Sequence, residues 1–293
     1  MIVKLWSSVV RCVVFPASMP VTPIAVRHCH LMLDYLNFFL YHIHTIKMRY
    51  AIFSDVHSNL EALEKILLFY RGQGVNSYVH CGDIVGYGPN PNECIAAIKG
   101  LPGLRLVAGN HDVAACGLKP LTWFNEYAQK TLGWTMKKLT EKNRAYLAGI
   151  SESITDNNWT AVHGSPRDPT EEYMFKRKSF IENLGYFNTQ ICFVGHTHAP
   201  LVFTSDESGS FSTIEPVTEN QKIKIFPQYK YIINVGSAGQ PRDGNPNACC
   251  VIYDTVSQEV EFFRHVYNFP ETQNKMYELR LPSFLIERLT WGR

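Results

Sequence analysis

Five apolar segments of this sequence each end in side chains that can bind a metal ion. These side chains are carboxylates, an amide and imidazoles: Asp55, His57, Asp83, Asn110, His111, Asp112, His163, His196 and His198. Oxygen and imidazole ligands suit hard to borderline divalent cations, and no Cys-x-x-Cys pair is present to form a thiolate site. The residue types therefore predict a site for divalent metal ions.

A pair of divalent ions would make this site hydrolytic. Two ions about 3.5–4 Å apart lower the pKa of a bridging water from about 15.7 toward about 7 and orient it for in-line attack on phosphorus. The ions bring four positive charges, and Asp55, Asp83 and a bridging hydroxide cancel about three of them, which leaves about one to attract a phosphate. His111 is predicted to donate a proton to the leaving group, with Asp112 as a candidate to orient its ring.

The elements that carry these residues are predicted to be strands of an open α/β sheet. Such sheets bind their ligands at the carboxyl ends of strands, so five polar endings predict one common site. Side chains at positions i and i+2 of an extended strand share a face. We therefore expect Asp55 and His57 to point at one ion, provided that the strand is still extended there, and the same spacing recurs at His196 and His198.

From Met48 onward, strand and helix patterns alternate, which is typical of an α/β domain, predicted here over residues 48–293. Ser58 and Glu61 have the spacing of a capping box and predict the start of the first helix. The polar stretch 205–222 is interpreted as a hairpin loop, and Pro282 is predicted to divide two C-terminal helices.

Residues 1–47 are interpreted as a poorly ordered N-terminal extension or a misassigned start, because they show neither helical nor strand periodicity.

A net charge of +2 gives no reason to expect stable nucleic-acid or membrane binding. Eight scattered cysteines predict buried thiols in a reducing compartment, so a cytoplasmic location is expected. The expected partner is a small phosphoester substrate. The oligomeric state stays open, a homo-oligomer included.

The order and spacing of the polar motifs resemble the calcineurin-like metallophosphoesterase superfamily, from about Met48 to His265. The motifs are D-x-H (55–57), G-D (82–83), G-N-H-D (109–112), H-G (163–164) and G-H-x-H (195–198). The resemblance implies a four-layer αββα sandwich with two central β-sheets flanked by helices. It implies one metal ion bound by Asp55, His57, Asp83 and His198, and a second bound by Asp83, Asn110, His163 and His196. It also implies that His111 is the acid that contacts the phosphoryl group. Manganese is expected, with iron, zinc and nickel as alternatives.

Three further segments are similar to the bacterial and archaeal phosphodiesterase-like branch of that superfamily: residues 82–91, 234–246 and 281–289. The Arg-Gly that follows Gly-Asp in protein phosphatases is absent after Asp83. A phosphodiesterase is therefore predicted, with a phosphomonoesterase or protein phosphatase on the same scaffold as the alternative and a non-catalytic interaction module behind it. The residues predicted to bind substrate are Asn110, His111, Tyr87 and Arg242, with Asn90, Arg167 and Asp243 as further candidates.

Overall fold

The computed structural model describes residues 48–156 and 158–293. The apolar runs of this part form twelve strands: Arg49–Phe53 (β1), Ser77–His80 (β2), Arg105–Leu106 (β3), Ser153–Asp156 (β4), Trp159–Val162 (β5), Ile191–Val194 (β6), Leu201–Ser205 (β7), Ser212–Pro216 (β8), Lys222–Lys224 (β9), Lys230–Asn234 (β10), Ala248–Asp254 (β11) and Glu259–His265 (β12). Its α-helices are Leu60–Arg71 (α1), Pro91–Lys99 (α2), Asn110–Ala115 (α3), Glu126–Lys138 (α4), Glu141–Ala148 (α5), Arg177–Asn183 (α6), Phe269–Glu278 (α7) and Ser283–Trp291 (α8). Two 3₁₀ turns lie at Leu121–Trp123 and Leu184–Tyr186. Residues 1–47, which were predicted to form an N-terminal extension, lie outside the described residues.

The strands form two mixed sheets of six strands each. The first has the order β3-β2-β1-β11-β12-β9, and the second has the order β4-β5-β6-β10-β7-β8. β1 pairs in parallel with β2, and β5 pairs in parallel with β6. Because parallel neighbours end on the same side of a sheet, the polar residues that follow these four strands gather at one edge.

The two sheets pack face to face, and helices cover their outer faces. Ile52 of the first sheet and Phe193 and Ile233 of the second belong to one buried apolar cluster between the sheets. Ile66 of α1 packs on the outer face of the first sheet, and Phe180 of α6 packs on the outer face of the second. Each such fully buried side chain stabilises the fold by roughly 1.5–3 kcal/mol. The predicted αββα sandwich is confirmed.

The first helix begins one residue later than its predicted cap. Asn59 is the N-cap, and its side chain accepts a hydrogen bond from the Ala62 amide at 3.1 Å. The predicted capping box is wrong: Ser58 has a φ of 56°, and the Glu61 carboxylate pairs with Lys275. The Asn59 side-chain amide instead donates a hydrogen bond to the carbonyl oxygen of Gly239 at 2.7 Å, which fixes the start of the helix.

The polar stretch 205–222 holds more structure than a hairpin loop. β8 lies inside it and pairs antiparallel with β7, with Ser205 opposite Ser212. Alternating polar residues at the edge of a sheet give little sign of a strand, which is why the sequence interpretation was partly wrong.

The predicted division of the C-terminal helices is confirmed. Two helices, α7 and α8, lie on either side of Pro282. The six cysteines among the described residues are free thiols, and Cys249 and Cys250 belong to clusters on opposite faces of the first sheet. In the described residues, no helix has the length and apolar character needed to cross a bilayer.

Candidate metal centre

The structure brings the predicted polar residues of both sheets to one buried place. The residues that follow strands are Asp55 and His57 (β1), Asp83 (β2), His163 (β5), and His196 and His198 (β6), whereas Asn110 and His111 begin α3. One link across the two sheets runs from the His163 Nε2 atom to the Asp83 Oδ2 atom, at 3.3 Å. No single element carries the site.

The backbone of five of the seven candidate ligands is left-handed rather than extended. The φ angles are 52° at Asp55, 49° at His57, 61° at Asp83, 66° at His196 and 60° at His198. β1 ends at Phe53 and β6 ends at Val194, so strand periodicity does not align these side chains. Asp55 and His57 nevertheless lie in one group of possible metal ligands, as predicted. Non-glycine residues adopt positive φ at a cost of order 1–3 kcal/mol each, and such strain clusters at functional sites.

The ligand atoms form two groups that share Asp83. In the first group, the Asp55 Oδ1 atom lies 3.2 Å from His198 Nε2 and 3.7 Å from His57 Nε2. The Asp83 Oδ2 atom lies 3.5 Å from His57 Nε2 and 3.3 Å from His163 Nε2. Asp83 thus joins the first group to the second, which also contains His196.

In the first group two imidazole lone pairs face each other. The His57 Nδ1 atom lies 3.1 Å from the Val85 carbonyl oxygen, and His198 Nδ1 lies 2.6 Å from that of Gln240. Since a carbonyl oxygen only accepts, both Nδ1 atoms carry the proton and both Nε2 atoms carry a lone pair. These Nε2 atoms are 3.1 Å apart, so a shared cation would satisfy them where a hydrogen bond cannot.

The second group has a similar arrangement, except that His196 contacts a carbonyl oxygen through its other ring nitrogen. His163 Nδ1 lies 2.9 Å from the Cys81 carbonyl oxygen, and His196 Nε2 lies 3.1 Å from that of Glu171. The remaining nitrogens, His163 Nε2 and His196 Nδ1, are 3.0 Å apart. Two ligand atoms that share one ion at about 2.0–2.1 Å lie about 3 Å from each other, so both pairs fit a metal ion.

Two oxygen atoms of the site also need a cation. The Asn110 Oδ1 and Asp55 Oδ1 atoms are buried and accept no hydrogen bond from the described residues. A buried acceptor without a donor costs about 1–3 kcal/mol. The donor set of carboxylates, an amide oxygen and imidazoles therefore fits divalent metal ions, as the sequence predicts.

Burial and mutual charge set the protonation of the site. Burial acts to raise the pKa of Asp55 and Asp83, but neighbouring imidazoles outweigh it and hold both pKa values below the ordinary range. Burial lowers the pKa of His57 and His198, so neither fills the gap between their lone pairs with a proton. Burial also acts to lower the pKa of His163, yet the Asp83 carboxylate raises it to about 9.

Asp112 does not orient the His111 ring, and this prediction is wrong. Its carboxylate accepts four main-chain hydrogen bonds at 2.8–3.2 Å, from Asp83, Ile84, Val85 and Gly109. Because Asp112 lies inside α3, its carboxylate folds back over the start of that helix and fixes the turn that carries Asp83. Its role is to position the turn.

We expect Asp112→Ala to lower the free energy of unfolding by about 3–5 kcal/mol, because four buried amides lose their acceptor. Urea unfolding followed by circular dichroism measures the change. Asp206 offers a matched control, since its exposed carboxylate also accepts main-chain hydrogen bonds and water can replace it. A change in Asp112→Ala as small as that in Asp206→Ala would contradict the assigned role.

The His111 ring is held by aromatic neighbours. The ring centres of Tyr87, His57 and Phe124 lie 4.5, 4.9 and 5.1 Å from it. Its Nδ1 atom has no hydrogen-bond partner among the described residues, and a methyl group at Gly86 (φ 98°) would overlap that atom. Burial lowers the pKa of His111 to about 4.

Tyr87 and Arg242, which were predicted to bind substrate, flank the metal ligands. The further candidates Arg167 and Asp243 do not. The Arg242 guanidinium lies 5.6 Å from the centre of the Tyr87 ring, which itself packs on His57. Arg167 is paired with two glutamates, and Asp243 is paired with Arg264, so neither is free to shape the pocket as predicted.

Sequence reasoning missed three residues beside the site. The Tyr173 ring stacks on His196 with centres 3.7 Å apart and is 48% exposed, and Gln240 and Arg288 lie close to His198 and Arg242. Tyr173 lies in the loop that follows His163, and Arg288 lies in the last helix. Gln240 and Arg288 belong to the segments 234–246 and 281–289, whose similarity to the phosphodiesterase-like branch does not by itself mark either residue as part of the site.

Comparisons with known proteins agree with this geometry. The model of the calcineurin-like phosphoesterase superfamily domain matches residues 48–258. An uncharacterized protein of Methanocaldococcus jannaschii is 36% identical over 253 residues, which are 85% of this chain and 100% of that protein. The crystal structure of a metallophosphoesterase from Sphaerobacter thermophilus is 39% identical with a TM-score of 0.77, over 84% of this chain and 100% of that one. A hypothetical protein from Pyrococcus horikoshii OT3 is 20% identical with a TM-score of 0.70, over 84% and 99% of the chains, and shows the same fold.

Proposed function

This chain belongs to the calcineurin-like phosphoesterase superfamily, and from that premise we propose that it hydrolyses phosphodiester bonds of small molecules or nucleotides with two divalent metal ions. The observation that carries the proposal is the two pairs of facing imidazole nitrogens on either side of Asp83, one pair in each group. Two cations, one for each pair, would share this carboxylate, which lies within 3.5 Å of a histidine of each group. Manganese is the ion that we propose first, with iron, zinc and nickel as alternatives.

The metal ligands and the chemistry they support follow from the two groups. Asp55, His57, Asp83 and His198 would hold one ion, and Asp83, Asn110, His163 and His196 would hold the other. Two such ions lower the pKa of a water molecule and neutralise charge on the phosphoryl oxygens. The aromatic rings around the site exclude bulk water from it, which strengthens its electrostatic interactions.

His111 is proposed to donate the proton that the leaving oxygen needs. With its pKa lowered to about 4, the ring is neutral at pH 7 without substrate. A bound phosphoryl group brings negative charge close to the ring and favours its protonated form. Tyr87 and Phe124 hold the ring so that one edge faces the metal ligands.

A phosphodiester is favoured over a monoester by charge. Two ions, two carboxylates and a hydroxide leave about one positive charge, which one diester anion balances. The test therefore compares the kcat/KM of protein loaded with manganese on a diester, bis(p-nitrophenyl) phosphate, and on a monoester, p-nitrophenyl phosphate. A higher kcat/KM on the monoester would replace the phosphodiesterase proposal by the phosphomonoesterase alternative.

The same sample tests the number of ions. We expect elemental analysis to find two manganese ions per chain after dialysis. A single ion per chain, with full activity, would end the two-metal proposal. Absence of turnover on either ester in a protein that holds two ions would favour the non-catalytic module.

His111→Gln should lower turnover by about 10²–10⁴-fold on esters with poor leaving groups, because these need a proton at the departing oxygen. The loss on p-nitrophenyl esters should be much smaller, and the metal content should stay at the wild-type value. Steady-state kinetics on a series of leaving groups measures the difference. His265→Gln changes a histidine outside the site and serves as the control. Equal losses along the series would remove His111 from the role of acid.

A further inference from the structure

Two arginines converge on one amide oxygen beside the metal centre. The Arg242 Nη2 atom donates to Gln240 Oε1 at 2.9 Å, and Arg288 Nη1 donates to the same oxygen at 3.3 Å. The first arginine lies in the loop after β10, and the second lies in α8. The superfamily domain match ends at residue 258, so Arg288 lies beyond it.

Gln240 connects this arginine pair to the metal ligands. Its main-chain oxygen accepts the 2.6 Å hydrogen bond from His198 Nδ1, while its side chain holds both guanidinium groups. The Arg242 amide also donates to the His198 carbonyl oxygen at 3.2 Å. The Arg242 guanidinium faces the Tyr87 ring, which also packs on His57 and His111. The pair therefore lies on the same side of the site as the proposed proton donor.

Packing fixes the position of Arg288. Its guanidinium lies 5.4 Å from the centre of the Phe284 ring, and that ring stacks on Tyr127 of α4 with centres 5.0 Å apart. The Arg288 Nε atom donates to the main-chain oxygen of Arg293. A guanidinium that is already held loses little freedom when it binds an anion.

The charge of the pair is not balanced by side chains. No Asp or Glu side chain of the described residues lies within ion-pairing distance of either guanidinium, whereas Arg167 and Arg264 both have such partners. The Arg242 Nε atom is buried and makes no hydrogen bond within the described part. Burial and the charge of Arg242 lower the pKa of Arg288 to about 10. Two neighbouring cations of this kind offer a fork of donors to an incoming anion.

We propose that Arg242 and Arg288 form a subsite for a second, non-reacting phosphate group, so that the preferred substrate is a phosphodiester that carries an additional phosphate. This inference rests on the proposed function, since the subsite adjoins the reacting site. The charge of the reacting diester is matched by the metal centre alone. The two guanidinium groups then offer hydrogen-bond donors to a phosphate monoester group elsewhere on the substrate.

Two substrates that differ only in that phosphate test the inference. They are p-nitrophenyl thymidine 5′-phosphate and its 3′-phosphorylated derivative, which share the reacting phosphoryl group and the leaving group. We expect wild-type protein to show a kcat/KM at least about tenfold higher on the 3′-phosphorylated ester, mainly through KM, because charged hydrogen bonds discriminate at this level. Arg288→Gln should bring the ratio of the two kcat/KM values close to one, and Arg288→Lys should give an intermediate ratio.

Arg280→Gln is the matched control, since Arg280 is exposed, precedes the same helix and undergoes the same change of charge. It should keep the wild-type ratio. A wild-type ratio near one, or a ratio that Arg288→Gln leaves unchanged, would overturn the subsite while the hydrolase proposal stands. Thermal unfolding shows whether Arg288→Gln is folded, and Arg288→Lys supplies the comparison if it is not.

A second measurement separates failure of the subsite from failure of the proposed function. Inorganic phosphate is titrated into metal-free protein in a calorimeter. We expect Arg288→Gln to weaken phosphate binding by about tenfold or more and Arg280→Gln to leave it unchanged. If metal-loaded protein hydrolyses no ester, the proposed function fails and this titration alone decides the subsite. Equal binding by wild type and Arg288→Gln would end the inference.

Discussion

Asp83→Asn should reduce turnover by at least about 10³-fold and should also remove most of the bound metal, because one carboxylate serves both proposed ions. Its Oδ2 atom lies 3.5 Å from His57 Nε2 and 3.3 Å from His163 Nε2, one histidine in each group. The neutral amide of Asn has one ligand oxygen and no charge. Kinetics and elemental analysis on the same preparation measure both effects.

The control for this variant is Asp206→Asn, which makes the same change at the turn after β7, beyond the end of that strand that lies away from His198. It should keep both metal and activity. If Asp83→Asn retained two ions per chain and wild-type turnover, Asp83 would not be a shared ligand. Loss of a single ion would restrict Asp83 to one of the two groups.

Removal of the metal by a chelator should reduce turnover to the background rate, and manganese should restore it, because hydrolysis then lacks its activated water. The stripped protein should also unfold at a lower temperature, since ligands that bind only the folded state stabilise it. Differential scanning calorimetry of stripped and reloaded samples measures the shift. Full activity in a sample that elemental analysis shows to be free of metal would end the proposed mechanism.

Metal binding should also release a proton from His163. Burial lowers the pKa of this imidazole, but Asp83 raises it to about 9, so the ring is protonated at pH 7 in the metal-free protein. A metal ion takes the same Nε2 atom and displaces the proton. Metal affinity should therefore fall as the pH drops below about 9, about tenfold per unit for one proton. Calorimetry in buffers of different ionisation enthalpy counts the protons released, and a count of zero would contradict the assignment.

The residues of the metal centre could be predicted from the sequence because each follows an apolar run. Asp83 and His163, for example, lie within three residues of the ends of strands whose residues are fully or nearly buried. The αββα layers followed from the resemblance that these motifs carry, and the sheets and helices confirm it. What failed was local: the capping residue of α1, the strand inside 205–222 and the backbone conformation of the ligands.

Asp112 shows why such details escape a linear pattern. Its position next to His111 suggested a partner for the imidazole, but in a helix neighbouring side chains point in different directions. The carboxylate instead meets amides of residues 83–85, which are 27–29 positions earlier in the chain. Only the folded chain brings these donors to it.

The sequence by itself determined which atoms are available for chemistry: carboxylates, one amide and imidazoles at the ends of buried strands, with His111 among them. The tertiary structure decided which nitrogen of each histidine is free, because main-chain oxygens such as those of Val85 and Gln240 fix the ring protons. It also decided that Arg288, from the last helix, stands beside Arg242. Residue type sets what a side chain can donate or accept, whereas distance and orientation across the fold depend on packing between segments far apart in the chain.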